Sequence, residues 1–239
     1  MEDKNISNNM IRWEFNDEVT KCFDEMLERS IPDYYTMREL VNSILVDHIN
    51  SNQLMHTNII DLGCSRGGAI KLASRKLHSN HFLGIECSKP MLKAARNEFR
   101  LEENVDIINM DLRNVDELPR KNCGAILSVL TLQFIPIEYR QKIVQQVYDS
   151  LNPKGIFIFV EKILGNTSLI SENYEKWYYK RKYQQNYSYE EIRDKKLKLE
   201  GVLVPATERY NYELLSQAGF KHIDVFWKYL NFVGFIAYK

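Results

Sequence analysis

The sequence predicts an α/β fold in which helices cover both faces of a mostly parallel β-sheet. Strand-like apolar runs alternate with helix-like runs between residues 59 and 160, and this alternation requires crossover connections between parallel strands. The run 156–160 carries no charge, which is typical of a central strand covered on both faces. Two β-rich runs, 222–227 and 232–238, predict an antiparallel pair at the end of the chain.

The other elements follow from the same patterns. Apolar residues at helical spacing predict one N-terminal helix over 15–29, which Pro32 ends, and a second helix over 36–49. Four strands are expected before the central one, with helices between and after them. The predicted strands are 59–62, 82–86, 105–109 and 125–130, and the predicted helices are 69–77, 90–99, 140–151 and 212–218.

The chain has 239 residues, which suits one large domain with an insert. We expect residues 1–54 to form a helical cap, and residues 55–161 and 205–239 to form the core. Residues 162–204 are charged and rich in tyrosine, and we expect them to form a helical insert. Ligands of open α/β sheets bind beyond the carboxyl ends of the strands, so the cap and the insert are expected to cover the site.

Composition restricts the class of protein. The formal net charge is zero and the four cysteines lack C-x-x-C spacing, which argues against a metal site or a disulfide framework. No signal peptide or membrane-spanning run is visible, so we expect a cytoplasmic protein without a membrane partner. The basic cluster 180–182, interleaved with tyrosines, leaves RNA binding as a non-enzymatic alternative. Interspersed acids dilute its charge, so we expect a solvated helical face and no nucleic acid partner.

A glycine-rich loop after the first predicted strand predicts a small-molecule site. Asp61 ends the strand, and Gly63 and Gly67 follow in the pattern D-x-G-x-x-x-G. Glycines let a ligand lie close to the backbone, and the acid supplies hydrogen-bond acceptors. The pattern is neither a dinucleotide fingerprint nor a P-loop. Glu86 and Asp111 follow the next two strands, and carboxylates repel phosphate, so the site favours a cationic or zwitterionic nucleoside.

This arrangement resembles motif I, motif II and the adenine-contacting acid of class I S-adenosylmethionine (SAM) dependent methyltransferases. Longer segments resemble the carboxy-SAM synthases, which act in modification of the tRNA wobble uridine. The matching segments are FNDEV at 15–19, DLGCS at 61–65, TLQF at 131–134, LNPKG at 151–155 and NYSYEEI at 186–192. The resemblance implies SAM as cofactor, a homodimer, and a Rossmann-like class I methyltransferase fold of seven strands with one antiparallel strand.

The resemblance also implies which residues contact SAM. Tyr34 is expected to reach the SAM carboxylate, the glycine-rich loop to hold the amino acid moiety, and Glu86 to bind the ribose. The expected cofactor contacts are Tyr34, Asp61, Gly63, Cys64, Ser65, Gly67, Glu86, Cys87, Ser88, Asp111, Leu112 and Val129.

Several positions depart from the family pattern near the reacting end of SAM. The family's arginine for the added carboxylate falls on Lys196, its strand-four asparagine on Val129, and two insert histidines on Tyr178 and Tyr179. Lysine in place of arginine turns a planar fork that grips a carboxylate into a point charge. These departures predict that the cofactor is kept while the reaction is changed.

The leading hypothesis is therefore methyl transfer from SAM to a small-molecule acceptor that Gln133, Tyr178, Tyr179 and Glu161 orient. The first alternative is the family reaction, in which SAM gains a carboxyl group from prephenate and Lys196 neutralises it across the dimer interface. The second alternative is cyclisation of the aminobutyryl chain of SAM, with release of methylthioadenosine. The catalytic candidates across these readings are Tyr178, Tyr179, Gln133 and Lys196.

Overall fold

The computed structural model describes residues 12–114, 116 and 118–239. Its strands are β1 (Asn58–Leu62), β2 (His81–Glu86), β3 (Val105–Asn109), β4 (Cys123–Val129), β5 (Leu151–Leu164), β6 (Ala206–Thr207), β7 (His222–Tyr229) and β8 (Phe232–Tyr238). The sheet has the order β3-β2-β1-β4-β5-β8-β7. Strands β1 to β5 pair in parallel, and β8 runs antiparallel to β5 and β7, which confirms the predicted fold class. The two-residue strand β6, which pairs with the end of β5, was not predicted.

The helices are α1 (Asp17–Lys21), α2 (Phe23–Ser30), α3 (Tyr34–Ser51), α4 (Gly68–Ser74), α5 (Lys89–Glu98), α6 (Ile137–Ser150), α7 (Ser168–Gln184), α8 (Tyr189–Leu199) and α9 (Glu208–Ala218). The prediction of a single helix over 15–29 is wrong. The backbone leaves the helical conformation at Cys22, with φ −103° and ψ 15°, and Phe15 precedes α1. A break of one residue barely changes the apolar spacing, so periodicity cannot detect it.

Two apolar layers enclose the sheet. On one face, Ile60 of β1 and Phe157 of β5 pack in a cluster with residues of α6 and α9. On the other face, Ile59 and Ile156 pack in a cluster with residues of α3 and α4. Alternate residues of β1 and β5 therefore point to opposite buried layers, as expected for strands inside a parallel sheet.

The insert leaves and rejoins the sheet beside β5. This strand continues to Leu164, so the predicted boundary between residues 161 and 162 falls inside it. Ile163 and Leu164 pair with Ala206 and Thr207 of β6, which holds the two ends of the insert together. Helices α7 and α8 are thereby placed over the carboxyl edge of the sheet. Among the described residues, no helix has the length and apolar character that crossing a membrane requires.

The cap is fastened to the insert from the other side. Arg29 of α2 donates hydrogen bonds to the carbonyl oxygens of Gln185 and Asn186, in the turn between α7 and α8. The Trp13 backbone N–H donates to the carbonyl oxygen of Lys198 in α8, with a length of 2.9 Å. The cap and the insert therefore meet above the end of the sheet and enclose the space between them.

Candidate functional site

A cavity of about 390 Å³ lies at the carboxyl ends of β1, β4 and β5, between the cap and the insert. Residues of α2 and α3 form one wall, the loop after β1 forms the floor, and residues of α7 and α8 form the opposite wall. The cavity brings together the predicted site residues Tyr34, Asp61, Gly63, Cys64, Ser65, Val129, Gln133, Tyr178, Tyr179 and Lys196. Most of the predicted residues of the amino acid end and the reacting end therefore share one enclosed space.

Two glycines of the loop have left-handed backbones. Gly63 has φ +68° and Gly67 has φ +83°. A Cβ atom on Gly63 would lie 2.6 Å from Oγ1 of Thr131, and one on Gly67 would lie 2.8 Å from Cζ of Phe99. Residues other than glycine would meet both backbone strain and a collision at these positions. Gly63 lines the cavity, whereas Gly67 packs beside Phe99 and is not on the cavity wall.

Glu86 ties this loop to the loop after β2. Its Oε2 accepts a hydrogen bond of 2.9 Å from the backbone N–H of Ser65. Its Oε1 accepts bonds of 2.8 Å from the backbone N–H groups of Cys87 and Ser88. Burial raises the pKa of Glu86, while these three donors oppose the shift. These three bonds fix the carboxylate at the tip of β2.

The predicted nucleoside contacts Glu86, Cys87, Ser88, Asp111 and Leu112 lie outside the cavity wall. The segment before α1 contacts this region, because Ser88 Oγ donates a hydrogen bond of 2.6 Å to the carbonyl oxygen of Phe15. The Asp111 carboxylate accepts hydrogen bonds from the backbone N–H and the guanidinium of Arg113, and this partner lowers the Asp111 pKa. The roles of these residues at the nucleoside remain predictions.

A buried acid and an arginine share the amino acid end of the cavity. Asp61 is only 4% exposed, and burial raises its pKa to about 7, although Arg38 acts in the opposite direction. The Arg38 guanidinium carbon lies 5.9 Å from the centroid of the Tyr34 ring. A carboxylate and a guanidinium in the same cavity suit a zwitterion, because each can meet one of its charges. The residues present therefore fit the amino acid moiety of SAM.

Arg38 is not among the predicted cofactor contacts, although its position in the sequence relative to Tyr34 points to it. It follows Tyr34 by four residues on α3, and residues with this spacing lie on the same face of a helix. If Tyr34 contacts the cofactor, helical periodicity therefore predicts Arg38 as a second contact.

Hydrogen bonds with the backbone hold both Gln133 and Glu161, so neither side chain faces a ligand freely. Gln133 Oε1 accepts a hydrogen bond of 2.8 Å from the backbone N–H of Lys162, and its Nε2 donates to the Leu130 carbonyl oxygen. Glu161 accepts a bond of 3.0 Å from the Leu132 backbone N–H and does not line the cavity. Burial raises the Glu161 pKa to about 8. Both side chains hold the turn after β4 against β5.

The tyrosine pair has two different environments. Tyr178 is 6% exposed and packs against Phe232, with ring centroids 5.7 Å apart. Tyr179 donates a hydrogen bond of 2.7 Å to Glu175, which also forms a 2.6 Å ion pair with Lys196. Tyr178 therefore belongs to the packed wall, whereas Tyr179 positions the Glu175–Lys196 pair.

Three further lysines line the same cavity and were not predicted as site residues. They are Lys162 of β5, Lys182 of α7 and Lys195 of α8. The reading of the run 180–182 as a solvated face is wrong for Lys182, which is only 4% exposed. Tyr178 and Lys182 are one helical turn apart, so they share the face of α7 that packs inward. Periodicity from the expected Tyr178 could have identified Lys182.

The chain matches a known domain family over part of its sequence and several known proteins along nearly its whole length. The methyltransferase domain family matches residues 59–155. A carboxy-S-adenosyl-L-methionine synthase of Nautilia profundicola is 37% identical over 100% of both chains. One of Staphylococcus epidermidis is 37% identical over 97% of this chain and 99% of its own, and one of Methylococcus capsulatus is 34% identical over 94% and 93%.

Solved structures share the fold at low sequence identity. Human N-acetylserotonin methyltransferase in complex with SAM has a TM-score of 0.54 at 15% identity, over 97% of this chain and 63% of that one. Phosphoethanolamine N-methyltransferase 2 of Haemonchus contortus in complex with SAM has a TM-score of 0.61 at 16% identity, over 90% and 44%. With relatives of 34–37% identity along nearly its whole length, the chain belongs to the carboxy-S-adenosyl-L-methionine synthase family of SAM-dependent enzymes, on the class I methyltransferase fold.

Proposed function

We propose that this protein is a carboxy-SAM synthase, which adds a carboxyl group from prephenate to the methyl group of SAM. The observation that carries the proposal is the charge of the cavity, where Lys162, Lys182, Lys195 and Lys196 lie in the same space as the glycine-rich loop. Relatives named carboxy-SAM synthase favour this first alternative over our leading hypothesis of methyl transfer.

The lysines support a negatively charged second substrate. SAM carries a positive sulfonium, so a cluster of ammonium groups beside it is unfavourable unless an anion enters the same space. The chain as a whole has no net charge, whereas the cavity lining has six basic and four acidic side chains. The basic residues are Arg38, Arg66, Lys162, Lys182, Lys195 and Lys196, and the acidic ones are Asp24, Asp61, Glu175 and Glu200. Prephenate has two carboxylates and would compensate the surplus positive charge, whereas a neutral methyl acceptor would not.

The proposed reaction replaces one hydrogen of the SAM methyl group by a carboxyl group. One C–H bond of the methyl group breaks, and a C–C bond to the carboxyl carbon forms. Prephenate loses this carboxyl group together with its ring hydroxide, which makes the ring aromatic, and the hydroxide leaves as water with the methyl proton. No oxidant or reductant is needed, because the departing groups of prephenate balance the change on SAM.

Lys196 is the residue placed to neutralise the new carboxylate. It lines the cavity of its own chain and is paired with Glu175 at 2.6 Å, so a carboxylate on the methyl carbon would compete with Glu175 for the same ammonium. Tyr179 donates a hydrogen bond to Glu175 and would hold the Glu175 carboxylate in place while Lys196 turns to the new carboxylate. The resemblance places this contact across the dimer interface, whereas Lys196 here lines the cavity of its own chain.

Mass spectrometry of the products tests the proposed reaction. Incubation of the protein with SAM and prephenate is expected to give a nucleoside heavier than SAM by one carbon dioxide. Prephenate labelled with carbon-13 in its ring carboxylate should transfer the label to this product. Formation of S-adenosylhomocysteine with an added acceptor, or of methylthioadenosine from SAM alone, without the labelled product, would reject carboxy-SAM synthesis in favour of methyl transfer or cyclisation.

We also propose a homodimer that works in the cytoplasm. The exposed side of α7 carries large apolar side chains, with Leu169 66%, Trp177 47% and Tyr183 46% exposed, and a second chain could cover them. The four cysteines are all free, which suits a reducing compartment. Sedimentation velocity should give the mass of two chains, and Trp177→Glu should shift it toward one. A wild-type protein that sediments as a single chain at micromolar concentration would contradict the dimer.

A further inference from the structure

We propose that Lys162, Lys182 and Lys195 form a separate anion-binding site, which holds the carboxylate that the second substrate keeps after the reaction. The inference rests on the proposed function, because it assigns how the same cavity recognises a dicarboxylate. We call these three residues the lysine site. The ligand class is a small dicarboxylate, with one acid group transferred and the other held by the lysine site.

The three ammonium groups converge on two tyrosine rings. Lys162 Nζ lies 4.6 Å and Lys182 Nζ 5.1 Å from the centroid of the Tyr178 ring. Lys182 Nζ and Lys195 Nζ lie 5.1 Å and 5.8 Å from the centroid of the Tyr187 ring. Lys182 is therefore between the other two lysines and shares one ring with each. Ring faces attract cations, so they hold the three ammonium groups in one region of the cavity.

No carboxylate forms an ion pair with the lysine site in the part of the chain that the structure describes. Glu175 opposes the effect of burial on the pKa of Lys162, but its carboxylate is already paired with Lys196. Lys195 Nζ donates a hydrogen bond of 3.1 Å to Ser30 Oγ, a neutral acceptor. The ammonium groups of Lys162 and Lys182 form no hydrogen bond or ion pair with any described residue, although Lys182 is only 4% exposed. Buried lysines are ordinarily paired, since an ammonium group needs acceptors when water is removed. These charges are therefore available to a ligand that enters the cavity.

The lowered pKa values of the three lysines also favour an anionic ligand. Burial, with repulsion from Lys195 and Lys162, lowers the pKa of Lys182 to about 7. Burial lowers the pKa of Lys162 and of Lys195 to about 8. A carboxylate bound among the three would remove this repulsion and restore their charge. The positions of the ammonium groups and their pKa values therefore both favour a carboxylate as the ligand.

The lysine site differs from the Glu175–Lys196 pair. Lys196 is compensated by Glu175 within its own chain, so that pair carries no surplus charge. Lys162 lies two residues after Val160, the β5 partner of Val129 at the carboxyl end of β4, and so lies close to the predicted reacting end. Lys195 lies against Ser30 at the end of α2. A dicarboxylate can thus have its transferred carboxyl group toward β4 while the other is held farther from the loop.

Calorimetric titration of prephenate into protein saturated with S-adenosylhomocysteine tests the lysine site. S-adenosylhomocysteine has no methyl group, so binding is measured without reaction. Lys182→Met and Lys195→Met are each expected to weaken prephenate binding about 10- to 100-fold, since each removes a charge-assisted hydrogen bond. Affinity for S-adenosylhomocysteine should stay within about twofold of the wild type. Lys180→Met is the matched control, because this exposed lysine lies on the same helix, and no change is expected.

The outcomes separate this inference from the proposed reaction. Unchanged prephenate affinity in both variants would overturn the lysine site, and carboxy-SAM formation by the wild type would then still stand. Lysine-dependent prephenate binding without any carboxy-SAM product would reject the reaction and keep the site. Melting temperatures provide the structural control: we expect the methionine variants to melt at or above the wild-type temperature, because an unpaired buried charge is removed. A lower melting temperature with lost S-adenosylhomocysteine binding would indicate a structural role instead.

Discussion

Replacement of Gly63 by alanine is expected to weaken SAM binding by more than about 100-fold, the largest effect we expect from a single methyl group. The added Cβ would lie 2.6 Å from Oγ1 of Thr131 and nearer still to its Cγ2. The backbone at Gly63 has φ +68°, which costs another residue about 1–2 kcal/mol before any collision. Relief of the collision requires the loop to move, and the same loop places Cys64 and Ser65 on the cavity wall.

Gly201→Ala separates these two effects. Gly201 has φ +70°, almost the same backbone conformation, but a Cβ atom there would have nothing within 4 Å. Both variants should lose stability in thermal denaturation, whereas calorimetric titration should show weakened SAM binding only for Gly63→Ala. Thr131→Ala removes the colliding atoms, so the Gly63→Ala/Thr131→Ala double variant should recover part of the affinity. Equal SAM affinity in the Gly63 and Gly201 variants would show that the loop tolerates the methyl group.

The sheet was predictable because its signals are local. The apolar runs end at acids, and the predicted strands 59–62 and 82–86 lie within one residue of β1 and β2. Two acids at strand ends, Asp61 and Glu86, come together because parallel strands end at the same edge of a sheet. The break at Cys22 was not predictable, since two short helices with one residue between them keep the apolar spacing of a single helix.

The lysines of the cavity needed the tertiary structure. Lys182 has charged neighbours in the sequence, which made it look like part of a solvated face. Its burial depends on the packing of Tyr178 against Phe232. These two residues are more than fifty positions apart in sequence, so no local pattern encodes this contact. Lys195 and Ser30 are farther apart still and meet only because α2 packs against α8. Long-range packing therefore decides the charge of the site, whereas local pattern decides its floor.

The pH dependence of SAM binding is expected to depend on Asp61. Burial raises the pKa of this carboxyl to about 7, with Glu86 adding to the shift and Arg38 opposing it. An ammonium group on the ligand favours the ionised carboxylate, so SAM affinity should fall as the pH falls through 7. For a pKa near 7, the ionised fraction changes by about tenfold between pH 8 and pH 6, and the affinity should follow it. Calorimetric titration at several pH values measures this change.

Asp61→Asn is expected to weaken SAM binding about 10- to 100-fold at pH 8, because the amide keeps the size and an acceptor oxygen of the side chain but not its charge. At pH 6 the wild-type carboxyl is mostly protonated, so the two proteins should approach the same affinity. The amino group of SAM also titrates in this range, but it affects both proteins equally, so the ratio of their affinities isolates Asp61. A ratio that stays constant from pH 6 to pH 8 would mean that Asp61 binds SAM without changing its charge, and that the cation is recognised elsewhere.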